Sequence, residues 1–194
     1  RDYLNAHGFP GVGGGRYFTN AIDTTTQGID VVGTYTFGEA FDLTFGLNYN
    51  KTDIDALAPN PSALEAIDPT AVRVGRTEIG RITDGAPKDK AFVSGVYSIG
   101  AFSISTTATR WGKFSVFQNN PALDQTFGAE YTLDLAFAYA LDKWKFTVGG
   151  DNVLNAYPDE VLFANSTSGQ LVYSGASPFG FNGGFIYANI GYEW

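Results

Sequence analysis

The chain has 194 residues, with 12 Lys and Arg against 20 Asp and Glu and a formal net charge of −8. It has no cysteine, no methionine and a single histidine, His7. These counts exclude a disulfide framework and a thiolate metal site, and the acidic balance argues against a nucleic-acid partner.

Charged residues make up 16% of the chain, against about 25% in an ordinary soluble domain, while aromatic residues make up 15%. The longest apolar run, Leu135 to Leu141, falls far short of the ~18–20 residues that a spanning helix needs. No signal-peptide pattern follows Arg1. Because the chain starts at Arg1 and holds no Met, it is expected to be a piece of a longer or processed product.

Helical periodicity is nearly absent and period two is strong. The first predicted strand runs from Arg16 to Phe37, where Ile29, Val31, Gly33, Tyr35 and Phe37 alternate with Asp30, Val32, Thr34 and Thr36. In Phe41 to Tyr49 the odd positions are all apolar, and Asp42, Thr44, Gly46 and Asn48 fill the even ones. Val93 to Ile99 alternates more weakly, and Phe102 to Ala108 alternates with Ser103, Ser105 and Thr107. Phe127 to Leu141 alternates without interruption, so it is read as one strand of about 15 residues, long against a usual ~5–6. Trp144 to Val148 and Gly184 to Trp194 complete seven strands.

The connections alternate in length. Phe37–Phe41, Ile99–Phe102 and Leu141–Trp144 are tight turns, whereas Ile54–Pro87, Ser115–Thr126 and Val153–Gly183 are long. Long structureless loops are uncommon in compact domains and are usually functional. Short turns at one end and long loops at the other are the layout of an outer-membrane β-barrel. The apolar face carries aromatic residues beside the tight turns: Tyr35, Phe37, Phe41, Phe102, Tyr139, Trp144, Tyr192 and Trp194. A second group, Tyr49, Trp111, Phe114, Phe127 and Tyr131, sits near the long loops. Two such belts mark the two membrane–water boundaries. The polar face, with Asp42, Asn48, Glu130, Thr132, Asp134 and Lys145, is expected to meet the lumen. A soluble β-sandwich alternates in the same way, but it has no reason to gather aromatics at one set of ends.

Several side-chain groups are candidates for function. Arg73, Arg76 and Arg81 sit with Glu78 in one long loop. There they would either bind an anionic metal chelate through bidentate contacts or form a solvated charged hairpin. Arg16, Lys51, Lys88, Lys90, Arg110 and Lys113 fall near the long-loop ends, and Arg110 and Lys113 are expected to meet lipopolysaccharide phosphates. The carboxylate pairs Asp53/Asp55 and Glu65/Asp68 are expected to be solvated, with a loop calcium site as the alternative. Pro61 to Ile67 is compatible with one or two helical turns, and Asn165 to Tyr173 with a loop hairpin. Gly11 to Gly15 lacks the strand–helix context of a phosphate loop.

Three segments carry a family resemblance. Gly149-Gly150-Asp151-Asn152-Val153-Leu154-Asn155-Ala156-Tyr157-Pro158-Asp159 is similar to the segment where a late strand of TonB-dependent outer-membrane receptors leaves the membrane. Ser177-Pro178-Phe179-Gly180-Phe181-Asn182-Gly183-Gly184 precedes a strand that ends on an aromatic residue, here Trp194 where the family most often has Phe. Arg16 to Val32 resembles the family's long strand with an N-x-x-x-T-x-T-x-G-I-D pattern.

The resemblance implies an all-β fold, an antiparallel transmembrane β-barrel segment with long extracellular loops and short periplasmic turns. Residues 1–194 would be the C-terminal part of one barrel domain, about seven of about 22 strands, with the plug domain absent from this chain. It implies a non-enzymatic transporter without a cofactor, taking up a scarce solute such as a ferric siderophore by energy-coupled transport. Its partners would be outer-membrane lipid and lipopolysaccharide, the rest of the barrel and its plug, the TonB complex and a small-molecule ligand, with no nucleic acid. A passive porin or structural outer-membrane barrel, and a soluble carbohydrate-binding sandwich, are the other readings. Upstream sequence separates the first, and extraction without detergent the second.

Overall fold

The computed structural model describes residues 5–11, 20–66, 70 and 72–194. Seven strands form one antiparallel sheet: β1 (Ile22–Phe37), β2 (Phe41–Leu57), β3 (Asp89–Ile99), β4 (Phe102–Trp111), β7 (Glu130–Leu141), β8 (Trp144–Asp151) and β9 (Phe185–Tyr192), in that spatial order. The loop after β4 holds a separate two-stranded ribbon, β5 (Phe114–Val116) with β6 (Gln125–Phe127). The loop after β2 holds two short helices, α1 (Ser62–Glu65) and α2 (Arg76–Thr83).

The register places the alternating pattern on two faces. One row crosses all seven strands through the pairs Phe37–Phe41, Phe41–Tyr97, Tyr97–Ile104, Ile104–Phe137, Phe137–Val148 and Val148–Ala188. Directly paired residues share a face, so this row is apolar from end to end. The side chains of this face are open: Val93 and Phe137 are each 51% exposed and Ile190 is 67% exposed. Such a continuous bare apolar surface marks a membrane or interaction face. On the opposite face, one row reads Thr34, Thr44, Ser94, Thr107 and Asp134. Hydroxyls bridge its strands, Thr107 Oγ1 donating to Ser94 Oγ at 2.9 Å, while Thr36 Oγ1 donates to Asp42 at 2.7 Å further along the same face. The expected lumen residues Asp42, Asn48, Glu130, Thr132, Asp134 and Lys145 all lie on this polar face.

The three expected tight turns are present. Gly38, Gly100 and Asp142 open them with φ of 61°, 56° and 53°. That left-handed conformation costs glycine little, and Asp tolerates it better than most residues. Aromatic rings gather beside these turns on the apolar face. Tyr35 and Phe37 are 4.4 Å apart, Phe102 and Tyr139 4.6 Å, and Trp144 and Tyr192 4.7 Å between ring centroids.

Most strands differ by a few residues from the sequence reading, and several differences matter for the loops. The first strand begins at Ile22 among the described residues, and Arg16 to Thr19 lie outside them. β2 continues to Leu57 because its backbone stays paired with β1 beyond the apolar stretch. The long Ser115–Thr126 loop contains most of the ribbon. The single strand Phe127–Leu141 is two, because the chain leaves the sheet at Gly128 and Ala129. There Phe127 is buried in a stack on Phe114, with centroids 4.7 Å apart and planes 10° apart. The next amide, Gly128 N–H, donates to Asp159 Oδ2 at 2.6 Å.

The upper aromatic group is also corrected. Tyr49 and Tyr131 face the apolar side as expected. Phe114 and Phe127 are instead the core of the ribbon. Trp111 pairs with Lys90 and Glu130 on the polar face, its indole N–H donating to Thr132 Oγ1 at 3.1 Å.

Candidate functional site

The described parts of the long loops, 58–66 with 70 and 72–88, 112–129 and 152–184, gather at one end of the sheet. The third leaves β8 through an asparagine clasp. Asn152, with φ of 49°, donates its backbone N–H to Asp134 Oδ1 at 2.7 Å. Its side chain donates to Ala156 O at 2.8 Å and accepts from Ala156 N–H at 3.0 Å. Asn155, with φ of 55°, accepts from Gly184 N–H at 2.9 Å, which ties the far end of the loop to its start. Both asparagines of the resembling segment therefore hold the loop's base. The expected hairpin is present as well. Its base is the Glu160–Tyr173 bridge, and its tip carries positive φ at Thr167, Ser168 and Gly169.

Helix α2 accounts for two of the three candidate arginines. Glu78 and Arg81 are ion-paired three residues apart on its exposed side. Arg76 lies about 140° around the helix from Arg81. It makes a bidentate pair with Asp124, at 2.6 and 2.7 Å, and also donates to Gln118 O. Its guanidinium lies 5.1 Å from the centre of the Phe117 ring. The Arg76 hydrogen bonds, reinforced by Gln118 N–H at 2.9 Å, hold the Asp124 carboxyl down at about 2. Arg76 is itself raised by the same pair. Gly80 lets the helix approach the ribbon, since a Cβ there would stand 2.4 Å from Phe117 Cδ2. Arg73 donates to Pro59 O at 2.7 Å. Arg76 is thus committed to the fold and Arg81 to its own helix, while Arg73 donates to a loop carbonyl.

At the end of the helix, Asp84 N–H donates to Gly80 O at 2.8 Å. Its carboxylate pairs with Lys88 at 2.8 Å, which lowers its pKa with help from the Thr83 hydroxyl. Arg110 lies on the apolar face beside Tyr131 and is ion-paired with Asp89, while Lys113 is exposed. Lys90 lies over the Trp111 ring at 4.0 Å, on the polar face and so away from the apolar side. Asp53 is ion-paired with Lys51 at 2.7 Å, and Asp55 accepts from Thr25 Oγ1 at 2.6 Å. Glu65 is exposed, and its expected companion Asp68 lies outside the described residues, as do Val12 to Gly15. The helical turns expected within Pro61–Ile67 are α1, and Ile67 is outside the described residues.

Sequence reasoning missed the residues that join the loops. Gln125 donates through Nε2 to Glu160 O at 2.6 Å and accepts from Leu162 N–H at 2.8 Å. Asn165 Nδ2 donates to Leu123 O at 2.9 Å. Asp124, Phe117 and Gln118 were missed too. The nearest local signal was the Asn120-Pro121 turn, whose asparagine caps Ala122 N–H at 3.1 Å.

No family model and no curated protein matches this chain. Solved structures do. The pyoverdine outer-membrane receptor FpvA of Pseudomonas aeruginosa PAO1 aligns over 89% of this chain at 12% identity, with a TM-score of 0.57. FpvAI in complex with pyocin S2 aligns over 88% at 14% identity, with a TM-score of 0.56. The copper transporter OprC aligns over 88% at 14% identity, with a TM-score of 0.53. The matched region is only 22%, 19% and 24% of those chains, so this chain spans about a fifth to a quarter of each. TM-scores of 0.53 to 0.57 at 12–14% identity establish a shared fold. The chain has the fold of a wall segment of the TonB-dependent receptor β-barrel.

Proposed function

We propose that this chain is part of a TonB-dependent outer-membrane transporter that takes up a scarce metal-bearing solute. The observation that carries the reading is the in-register apolar face of seven strands, closed at one end by tight turns and topped at the other by long, folded loops. Lipid satisfies such a face. In hydrocarbon the free edges of β1 and β9 need paired neighbours, so the sheet belongs to a closed barrel. The tight-turn end is periplasmic and the loop end extracellular.

The solved neighbours include a receptor bound to pyoverdine and a copper transporter. They favour a metal solute, with a ferric siderophore as the first candidate and copper as the second. In this reading Arg73 and Arg81 contribute to its binding, while Arg76 supports the loop that carries them. Arg110 and Lys113, at the outer-leaflet level, contact lipopolysaccharide phosphates.

Uptake by cells expressing the full-length protein tests the reading, using ferric siderophores and copper as probes. Transport that stops on collapsing the proton-motive force supports it. Passage that persists under a protonophore, at a rate linear in concentration, would instead mean a passive porin.

A further inference from the structure

We propose that the three long loops open and close as one body, with the β5–β6 ribbon as the piece that joins them. This goes beyond the transport reading and does not depend on which solute is carried. Loops of such length ordinarily open separately, each with its own low local stability. Here the ribbon is fastened on both sides by neighbouring residues. Asp124 grips Arg76 of the first loop through two hydrogen bonds at 2.6 and 2.7 Å. Gln125, next in sequence, grips the base of the third loop's hairpin at Glu160 O and Leu162 N–H.

Further links run the same way. Ser115 N–H donates to Asp84 O at 2.8 Å, and Phe117 packs on Gly80, joining ribbon to first loop. Asn165 reaches Leu123 O, and Asp159 accepts from Gly128 N–H, joining third loop to ribbon. Inside the ribbon, the buried Phe114–Phe127 stack ties its two strands together. Moving either outer loop alone would break charge-assisted or part-buried hydrogen bonds on one side of the ribbon. The ribbon would then lose its support on that side, so the three lose their fold together, and weakening any one of these bonds lowers the stability of all three. The consequence is that a contact made by one outer loop is felt by the other, with no direct contact between them required.

Hydrogen exchange followed by mass spectrometry, on the full-length protein in lipid, tests this. Asp124→Asn weakens the link to the first loop and Gln125→Ala the link to the third. Each variant should speed exchange roughly tenfold in both 76–83 and 159–165, as expected for loss of a bidentate link in one cooperative unit, with strands β2 to β4 unchanged. Acceleration confined to the loop that each variant touches overturns the proposal. Should these variants disturb assembly, a disulfide across the ribbon gives the opposite perturbation. The Ser115 and Thr126 hydroxyls are 2.8 Å apart, so Ser115→Cys with Thr126→Cys is sterically suited. On oxidation, exchange should slow in both flanking loops and recover on reduction. Slowing in neither, or in only one, contradicts the single-body cap.

Discussion

Phe37 and Phe41 face each other across the first tight turn, their ring centroids 5.7 Å apart, and both lie on the apolar face of the sheet. Residues 38 to 40 reverse the chain between them. A soluble hairpin gains nothing from two bare rings at its tip. At a membrane boundary the same rings belong to the aromatic girdle that flanks a barrel's lipid-facing band.

The two faces should therefore respond differently to charge. Val93 lies on the apolar face and Ser94 beside it on the polar face. Val93→Arg is expected to cost about 2–4 kcal/mol near mid-membrane, whereas Ser94→Arg costs much less. Denaturant unfolding of the folded barrel from lipid vesicles measures both. Equal costs would count against a lipid-facing side.

The Arg76–Asp124 pair gives the loops an acid limit. The Asp124 carboxyl falls from an ordinary 3.8 to about 2 when folded. A depressed carboxylate stabilises fully above its unfolded value, and that contribution is lost as pH falls through the folded value. The loop cap should hold unchanged from neutral pH to about 4 and loosen between about 4 and 2. Exchange rates at 76–83 across that range check this, with Asp124→Asn removing the transition.

Gly80 should tolerate no side chain. Its Cβ would stand within 2.4 Å of the Phe117 ring. Gly80→Val should lift α2 off the ribbon at a cost of roughly 1–3 kcal/mol, the usual range for overpacking. Faster proteolysis within 72–88, with the barrel strands intact, is the expected result.

Asn155 holds a left-handed backbone and the Gly184 amide together. Asn155→Ala loses both and should cost about 1–3 kcal/mol from backbone strain alone. Asn155→Gly keeps the backbone at ease and loses only the side-chain acceptor, so it should be milder. A reversed order in thermal unfolding would mean that φ at this position is not what the residue provides.

The sheet was legible in the sequence because period two reports which face is apolar, and seven strands kept the same parity. Alternation reports faces, however, and not continuity. Phe127 to Leu141 alternates without a break, yet the chain leaves the sheet at Gly128, where a hydrogen bond to Asp159 holds it out. Trp111 shows the same limit. Its parity places it inward, although its size and its position near the loops suggested an outer belt. The loop contacts were illegible for a different reason. Arg76 meets Asp124 across 48 residues and Gln125 meets Leu162 across 37. Neither pairing leaves a local pattern, so the arginines looked available for a solute when one of them is spent inside the fold.

Single-cysteine nitroxide scanning of β2 in outer membranes tests the central claim, and this chain contributes no cysteine of its own. Labels at positions 43, 45 and 47 should be reached by molecular oxygen dissolved in lipid. Labels at 42, 44 and 48 should be reached by a water-soluble nickel chelate or be shielded by whatever fills the lumen. Equal access of the nickel chelate to both sets would contradict a membrane-spanning wall.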